Sequence, residues 1–219
     1  MVERIITYIS IFLALLLVLP VHEFAHAFCA VRCGDNTPKN CGRYTLNPLS
    51  HFDIAGLACF VLVGFGWAKP VPINPNNFKN RKRDGLLVSV AGVLANFLLA
   101  FIAYPLFVLS LRIPEFGYFT RVLQLALYYV FSLSITFFIF NLIPIYPLDG
   151  FRIYEAFSKK GKAYYTLKRY GIYLLYALVL LGIVADFTGM YYLDVLGRAL
   201  SFVRQYVQIP ITAFWGLIF

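Results

Sequence analysis

Hydrophobic residues in this chain gather into runs long enough to cross ~30 Å of hydrocarbon, separated by short polar and proline-rich stretches. The runs cover about residues 5–31, 86–111, 120–140, 170–187 and 192–219, and each predicts a transmembrane helix. Arg198, Arg204 and Pro210 interrupt the last run, which favours an interfacial position for part of it. A shorter run at 54–65 is too short to span comfortably and contains Gly56 and Gly64. It predicts a re-entrant segment, allowed where backbone is buried in protein or lines a cavity. Cys41-Gly42-Arg43-Tyr44-Thr45-Leu46 alternates weakly and ends at Asn47-Pro48, the pattern of a short strand. Val71-Pro72-Ile73-Asn74-Pro75 reads as a second extended piece, confined by its prolines to an edge. The expected fold class is an all-α polytopic membrane protein with about five transmembrane helices, a re-entrant segment and short membrane-associated β-strands. No internal repeat is present, and the chain reads as one domain over 1–219, with a core at about 5–157 and C-terminal helices at 166–219.

Composition supports that class and excludes a soluble domain: 61% of residues are hydrophobic, 13% are charged, and mean hydropathy is +0.75. The first run is too long for a signal peptide and lacks a basic leader and a small-residue cleavage site, so no removed leader is expected. A net charge of +9 invites a nucleic-acid reading, but its distribution gives a topological one. Fourteen of the 19 Lys and Arg residues lie in 32–84 and 150–170. If 54–65 does not cross, these stretches share one side. The positive-inside rule then makes that side cytoplasmic and puts the N-terminus outside. Five crossings would leave the C-terminus in the cytoplasm. The expected environment is the lipid bilayer, with no nucleic-acid partner. Cys29 and Cys33 share a helical face, but without a C-x-x-C pair they read as small buried hydrophobes rather than a second metal site.

Within the first run stands His22-Glu23-Phe24-Ala25-His26. Ionisable residues are costly in a membrane span unless they face protein or a wet cavity. Three within five positions argue against a chance match or a pair of satisfied core histidines. Residues i and i+4 lie on one helical face, so His22 and His26 can grip one metal ion, with Glu23 to the side as a base for an attacking water. A catalytic zinc usually takes three protein ligands. His51 lies in a loop. Asp149 ends Asn141-Leu142-Ile143-Pro144-Ile145-Tyr146-Pro147-Leu148-Asp149 and precedes Gly150; Pro144 and Pro147 prevent a regular helix there. An unwound segment at membrane depth must face protein or water. On the residues alone, Asp149 is balanced between a metal ligand and a cap for the next helix. Asn141 is a candidate oxyanion stabiliser or substrate-backbone anchor, or a cap for the helix ending there. Asn96 is either substrate-facing or an interhelical hydrogen-bonding group. His51 and Asp53 read as a polar pair near the cavity, either structural or supporting the ligands, with direct metal ligation the weaker alternative.

These motifs together resemble the site-2 protease family of intramembrane zinc metalloproteases, most closely the compact prokaryotic branch without a PDZ or CBS domain. The resemblance rests on residues 22–26, on Gly42-Arg43-Tyr44-Thr45-Leu46-Asn47-Pro48-Leu49-Ser50-His51-Phe52-Asp53 and on Phe65-Gly66-Trp67-Ala68-Lys69-Pro70-Val71-Pro72. Ala91-Gly92-Val93-Leu94-Ala95-Asn96 and the stretch from Asn141 to Gly150 complete it, so that it covers about 10–157. Ile54 stands where members commonly have Pro, and Val90-Ala91-Gly92-Val93 where they have Pro-Ala-Gly-Pro; both departures touch local backbone rather than metal chemistry. The resemblance implies one Zn2+ per chain held by His22, His26 and Asp149, with Glu23 as catalytic base. It further implies hydrolysis of peptide bonds within or near the membrane segment of single-span substrates. A substrate helix must unwind before attack, and the segments at 42–46 or 67–74 are the candidate edges to receive it. His22 lies ~25 Å along the first span from Ile5, nearer the cytoplasmic face. A compact chain of this kind is expected in a prokaryotic cytoplasmic membrane; its sequence sets neither a particular substrate nor an oligomeric state. Three rivals are weaker. A membrane peptidase with Glu as third ligand has only Glu115 and Glu155 downstream. A metal transporter would show repeats and several polar spans. An inactive zinc-binding scaffold has no need of Glu23.

Overall fold

The computed structural model describes residues 1–56, 59 and 66–219. Most of these are helical: α1 Val2–Arg32, α2 Thr37–Asn40, α3 Arg81–Ser110, α4 Tyr118–Leu142, α5 Asp149–Phe157, α6 Lys162–Thr188 and α7 Val195–Gly216, with 3-10 turns at Pro48–Ser50, Pro75–Asn77 and Tyr191–Leu193. Helix α3 begins with a reciprocal cap. The Asn80 side chain accepts from Arg83 N at 3.0 Å, and Asp84 accepts from Asn80 N at 2.8 Å, which satisfies donors that a helix start leaves free.

Helices α1, α3 and α4 pack against one another. Their shared core is built from Ala14 and Val18 of α1, Ala100 and Ala103 of α3, and Val130, Phe131, Ile135 and Ile139 of α4, with Ile211 of α7. The alanines matter because small residues let membrane helices approach closely. Chain direction follows from the contacts at one end of the bundle. Glu3 pairs with Arg121 at 2.9 Å, and Ser10 Oγ donates to Val122 O at 3.3 Å, so α4 runs parallel to α1 and α3 runs antiparallel. Trp215 Nε1 donates to Phe101 O at 2.9 Å, and Arg112 lies 5.8 Å over the Phe219 ring. The last turn of α7 therefore sits at the end of the bundle that holds Met1. The termini share one end, against the expectation of opposite sides.

Among the described residues, four helices are long and apolar enough to cross a membrane: α1, α3, α4 and α6. The fifth expected span is helical as α7 but does not qualify, because Arg198, Arg204, Gln205 and Gln208 dilute its apolar face. Arg204 turns inward and donates to Ser132 Oγ of α4 at 2.8 Å. The expected re-entrant run at 54–65 falls mainly on residues 57, 58 and 60–65, outside the described residues.

The expected strands do not form among the described residues. A single antiparallel bridge, Phe52 to Ala68, stands in their place. Gly42 takes a left-handed φ of 68°, which turns the chain where a strand would begin. In the second segment Lys69 N donates to His51 O within that bridge, while Val71 N goes to Glu23 and Asn74 N to Asp35. Pro70 and Pro72 have no donor to give.

Candidate metal centre

Helix α1 presents His22 and His26 one turn apart, with ring centroids 4.5 Å from each other. Helix α5 brings Asp149 to the same point. The chain leaves α4 at Leu142, passes through Ile143–Leu148 with a cis Tyr146-Pro147 bond, and starts α5 at Asp149. Gly150 makes that close return possible. A Cβ there would lie 2.3 Å from Leu142 O and 2.5 Å from Ile143 O, both backbone atoms that cannot move aside. Helix α5 is then fastened to α6, where Phe151 stacks on Tyr164 at 5.5 Å and the Tyr164 hydroxyl donates to Glu155.

His22 Nε2 and His26 Nε2 are 3.0 Å apart, and Asp149 Oδ2 lies 3.3 Å from the first and 3.0 Å from the second. All three residues are buried, and Asp149 Oδ2 accepts no well-formed hydrogen bond. Among the described residues, this is the group of His, Cys, Asp or Glu side chains whose ligand atoms converge closely enough to hold a metal ion. The spacing fits zinc. Zn–N and Zn–O distances of ~2.0 Å in a tetrahedron imply edges of ~3.3 Å between ligand atoms. His26 Nδ1 donates to Val88 O at 2.7 Å, which leaves its Nε2 lone pair facing the other two atoms. Electron-rich atoms held together in this way repel one another unless a cation lies among them.

Glu23 is half-buried beside the group, and its Oε2 accepts from Val71 N at 3.0 Å. That contact brings the extended segment after Trp67 across the mouth of the site. The segment is anchored at its far end by buried Asp35, which accepts from Asn74 N at 2.7 Å, Asn77 Nδ2 at 2.8 Å and Thr37 N at 3.0 Å. Burial alone opposes the Asp35 charge, but these donors outweigh it and hold the carboxyl below its ordinary range. Arg43, also buried, donates to Ser50 O and to Lys69 O at 3.4 Å, and so knits the first loop to the second.

The other sequence candidates fall away from the cluster. His51 is buried, with Nε2 donating to Thr45 O at 2.8 Å, and stands outside the group of three. Asp53 accepts from Gly56 N at 2.9 Å. Asn141 is half-buried and donates to Phe137 O of its own helix at 3.1 Å. Asn96 is brought to the histidines instead: fully buried, its amide nitrogen is 3.1 Å from His22 Nδ1. Gly92, one turn earlier on α3, lies flat against both rings. Neither Gly92 nor a ring-facing Asn96 is picked out by ligand chemistry alone. The available signal is their four-residue spacing within an apolar helix.

Residues 112–184 match peptidase family M50, a stretch that contains Asn141 and Asp149. Two curated relatives align more widely. "Putative zinc metalloprotease YwhC" of Bacillus subtilis is 41% identical over 143 residues, 64% of this chain and 65% of that protein. "Putative zinc metalloprotease Rip2" of Mycolicibacterium smegmatis is 27% identical over 188 residues, 81% of this chain and 70% of that protein. The chain thus spans 65% of the length of the Bacillus relative. No solved structure matches it. Its four long apolar helices make the chain an integral membrane protein, and over residues 112–184 it is similar to peptidase family M50.

Proposed function

We propose that this chain is an intramembrane zinc metalloprotease that hydrolyses peptide bonds within or near the membrane segment of single-span proteins. The observation that carries this reading is the convergence of His22, His26 and Asp149, from two helices far apart in sequence, with Glu23 beside them. One Zn2+ held by these three residues would supply Lewis acidity toward the scissile carbonyl and toward water. Glu23 takes the water proton and returns it to the leaving amine. Its Oε2 is engaged by Val71 N, so Oε1 is the oxygen free for proton transfer. Asn141 is assigned the substrate backbone, through the Oδ1 that its bond to Phe137 leaves free. The extended segment from Trp67 to Asn74 is the edge assigned to receive an unwound substrate strand. On this reading, residues 1–219 act as one membrane domain, with the catalytic core at about 5–157 and the C-terminal helices at 166–219.

Fourteen of the 19 cations lie in 32–84 and 150–170, at the end of the bundle opposite Met1. The positive-inside rule makes that end cytoplasmic. Both termini are then outside, in a prokaryotic cytoplasmic membrane, and cleavage falls nearer the cytoplasmic face. Labelling of a cysteine placed near Lys82 from outside intact cells would overturn this orientation.

The activity is tested with purified protein and a panel of single-span peptides in detergent. Chelation should abolish cleavage, zinc should restore it, and Glu23→Gln should bind zinc while losing ~10²–10⁴-fold in turnover. Metal-independent cleavage, or near-normal turnover in the Gln variant, contradicts the proposal.

A further inference from the structure

Val88, Gly92 and Asn96 lie four residues apart on α3 and so form one stripe along the helix. That stripe faces the histidine pair of α1 in antiparallel register. Val88 O accepts a hydrogen bond from His26 Nδ1–H at 2.7 Å. Gly92 has no space for a methyl group, since a Cβ would lie 2.3 Å from His26 Nε2 and 2.9 Å from His22 Cε1. Asn96 meets His22 Nδ1 at 3.1 Å.

The two Nδ1 partners differ in what they permit. A backbone carbonyl can only accept, so Val88 fixes His26 with its proton on Nδ1 and its lone pair on Nε2. A side-chain amide can donate or accept. His22 Nε2 faces His26 and Asp149, and it can ligate a metal only through its lone pair, which puts the ring proton on Nδ1. Asn96 Oδ1, buried with no other partner, can accept from that Nδ1–H after a half-turn of the amide.

We propose that Asn96 is a positioning residue for the metal centre, which accepts from His22 Nδ1–H and so turns the His22 Nε2 lone pair toward His26 and Asp149. This rests on the reading of His22, His26 and Asp149 as metal ligands. Outer partners that orient ligating histidines are generally worth 10–100-fold in metal affinity, and Asn96 fills that place for His22 as Val88 O does for His26.

The test uses the full chain in detergent and reads metal binding rather than turnover. Zinc affinity is measured by competition with a chromophoric chelator, and the ligand field by the visible spectrum of the cobalt-loaded protein. Asn96→Leu and Asn96→Ala, which offer no hydrogen bond, should each weaken zinc binding by ~10–100-fold and alter the cobalt spectrum. Asn96→Asp, which can accept from Nδ1–H, should keep wild-type affinity or better. The proposal is overturned if the Leu and Ala variants bind zinc like wild type with an unchanged cobalt spectrum, or if the Asp variant is as weak as they are. Absence of zinc binding in the wild type would remove the ligand assignment as well, and is thereby told apart from failure of the Asn96 role alone.

Discussion

Val71 donates its backbone N–H to Glu23 Oε2 at 3.0 Å, across 48 positions of sequence. The bond joins the proposed base to an extended segment with proline on both sides, and it leaves one carboxylate oxygen committed and the other open. Backbone is a stiffer support than a side chain, and here Pro70 and Pro72 restrict it further.

Deleting that one N–H should therefore slow the reaction without disturbing the metal. Val71→Pro is expected to lower kcat by roughly 10–100-fold, the worth of a hydrogen bond to a charged group, with zinc content unchanged. Val71→Ala keeps the N–H and should stay close to wild type. Equal loss in the two variants would mean that the Val71 side chain matters, rather than its amide.

Gly92 gives a steric prediction. A methyl at this position meets ring atoms of both histidines at 2.3–2.9 Å, so Gly92→Ala must push α3 away from α1 or turn the rings. Zinc content should drop sharply. Gly85→Ala, on the same helix with only Phe78 at 4.0 Å, is the matched control and should retain its metal. Metal content measured on both variants decides it, and normal zinc in Gly92→Ala would contradict the packing.

How much of this was legible beforehand differs by residue. The histidine pair was readable because i,i+4 spacing is a property of the helix alone. Asp149 was not: its residues allowed cap or ligand equally, and only resemblance to a family favoured the latter. In the structure it opens α5 with its side chain turned to the histidines, because Gly150 lets the chain fold back on the end of α4. Asn96 and Asn141 looked alike in sequence, as amides in apolar helices. Which one reaches the histidines depends on helix rotation, and Asn141 spends its amide on Phe137 of its own helix. The strands failed for another reason. Gly42 turns the first segment away, and in the second Val71 N and Asn74 N are taken by Glu23 and Asp35; no local propensity reports that a side chain 39 or 48 positions away will claim a backbone donor.

Asp35 sets a pH dependence outside the membrane helices. Its carboxyl is held below the ordinary value of 3.8 by donors from Thr37, Asn77 and Asn74. A depressed carboxylate stabilises the fold fully above its ordinary value, and that stabilisation is lost as pH falls through the lower folded value. The segment around Asn74 should thus stay protected from protease at neutral pH and loosen only well below pH ~4. Asp35→Asn should be loosened by ~1–3 kcal/mol at neutral pH and show a flatter acid response. Identical acid profiles in the two proteins would show that Asp35 does not anchor the segment.

The ligand set itself is tested most directly by counting zinc per chain in three purified proteins: wild type, Asp149→Ala and His51→Ala. His22, His26 and Asp149 converge within 4.8 Å, and His51 stands outside that group. Wild type and His51→Ala should each carry one zinc per chain, and Asp149→Ala should carry almost none after dialysis. Full occupancy in Asp149→Ala, or loss of zinc in His51→Ala with the fold intact, would contradict the assignment.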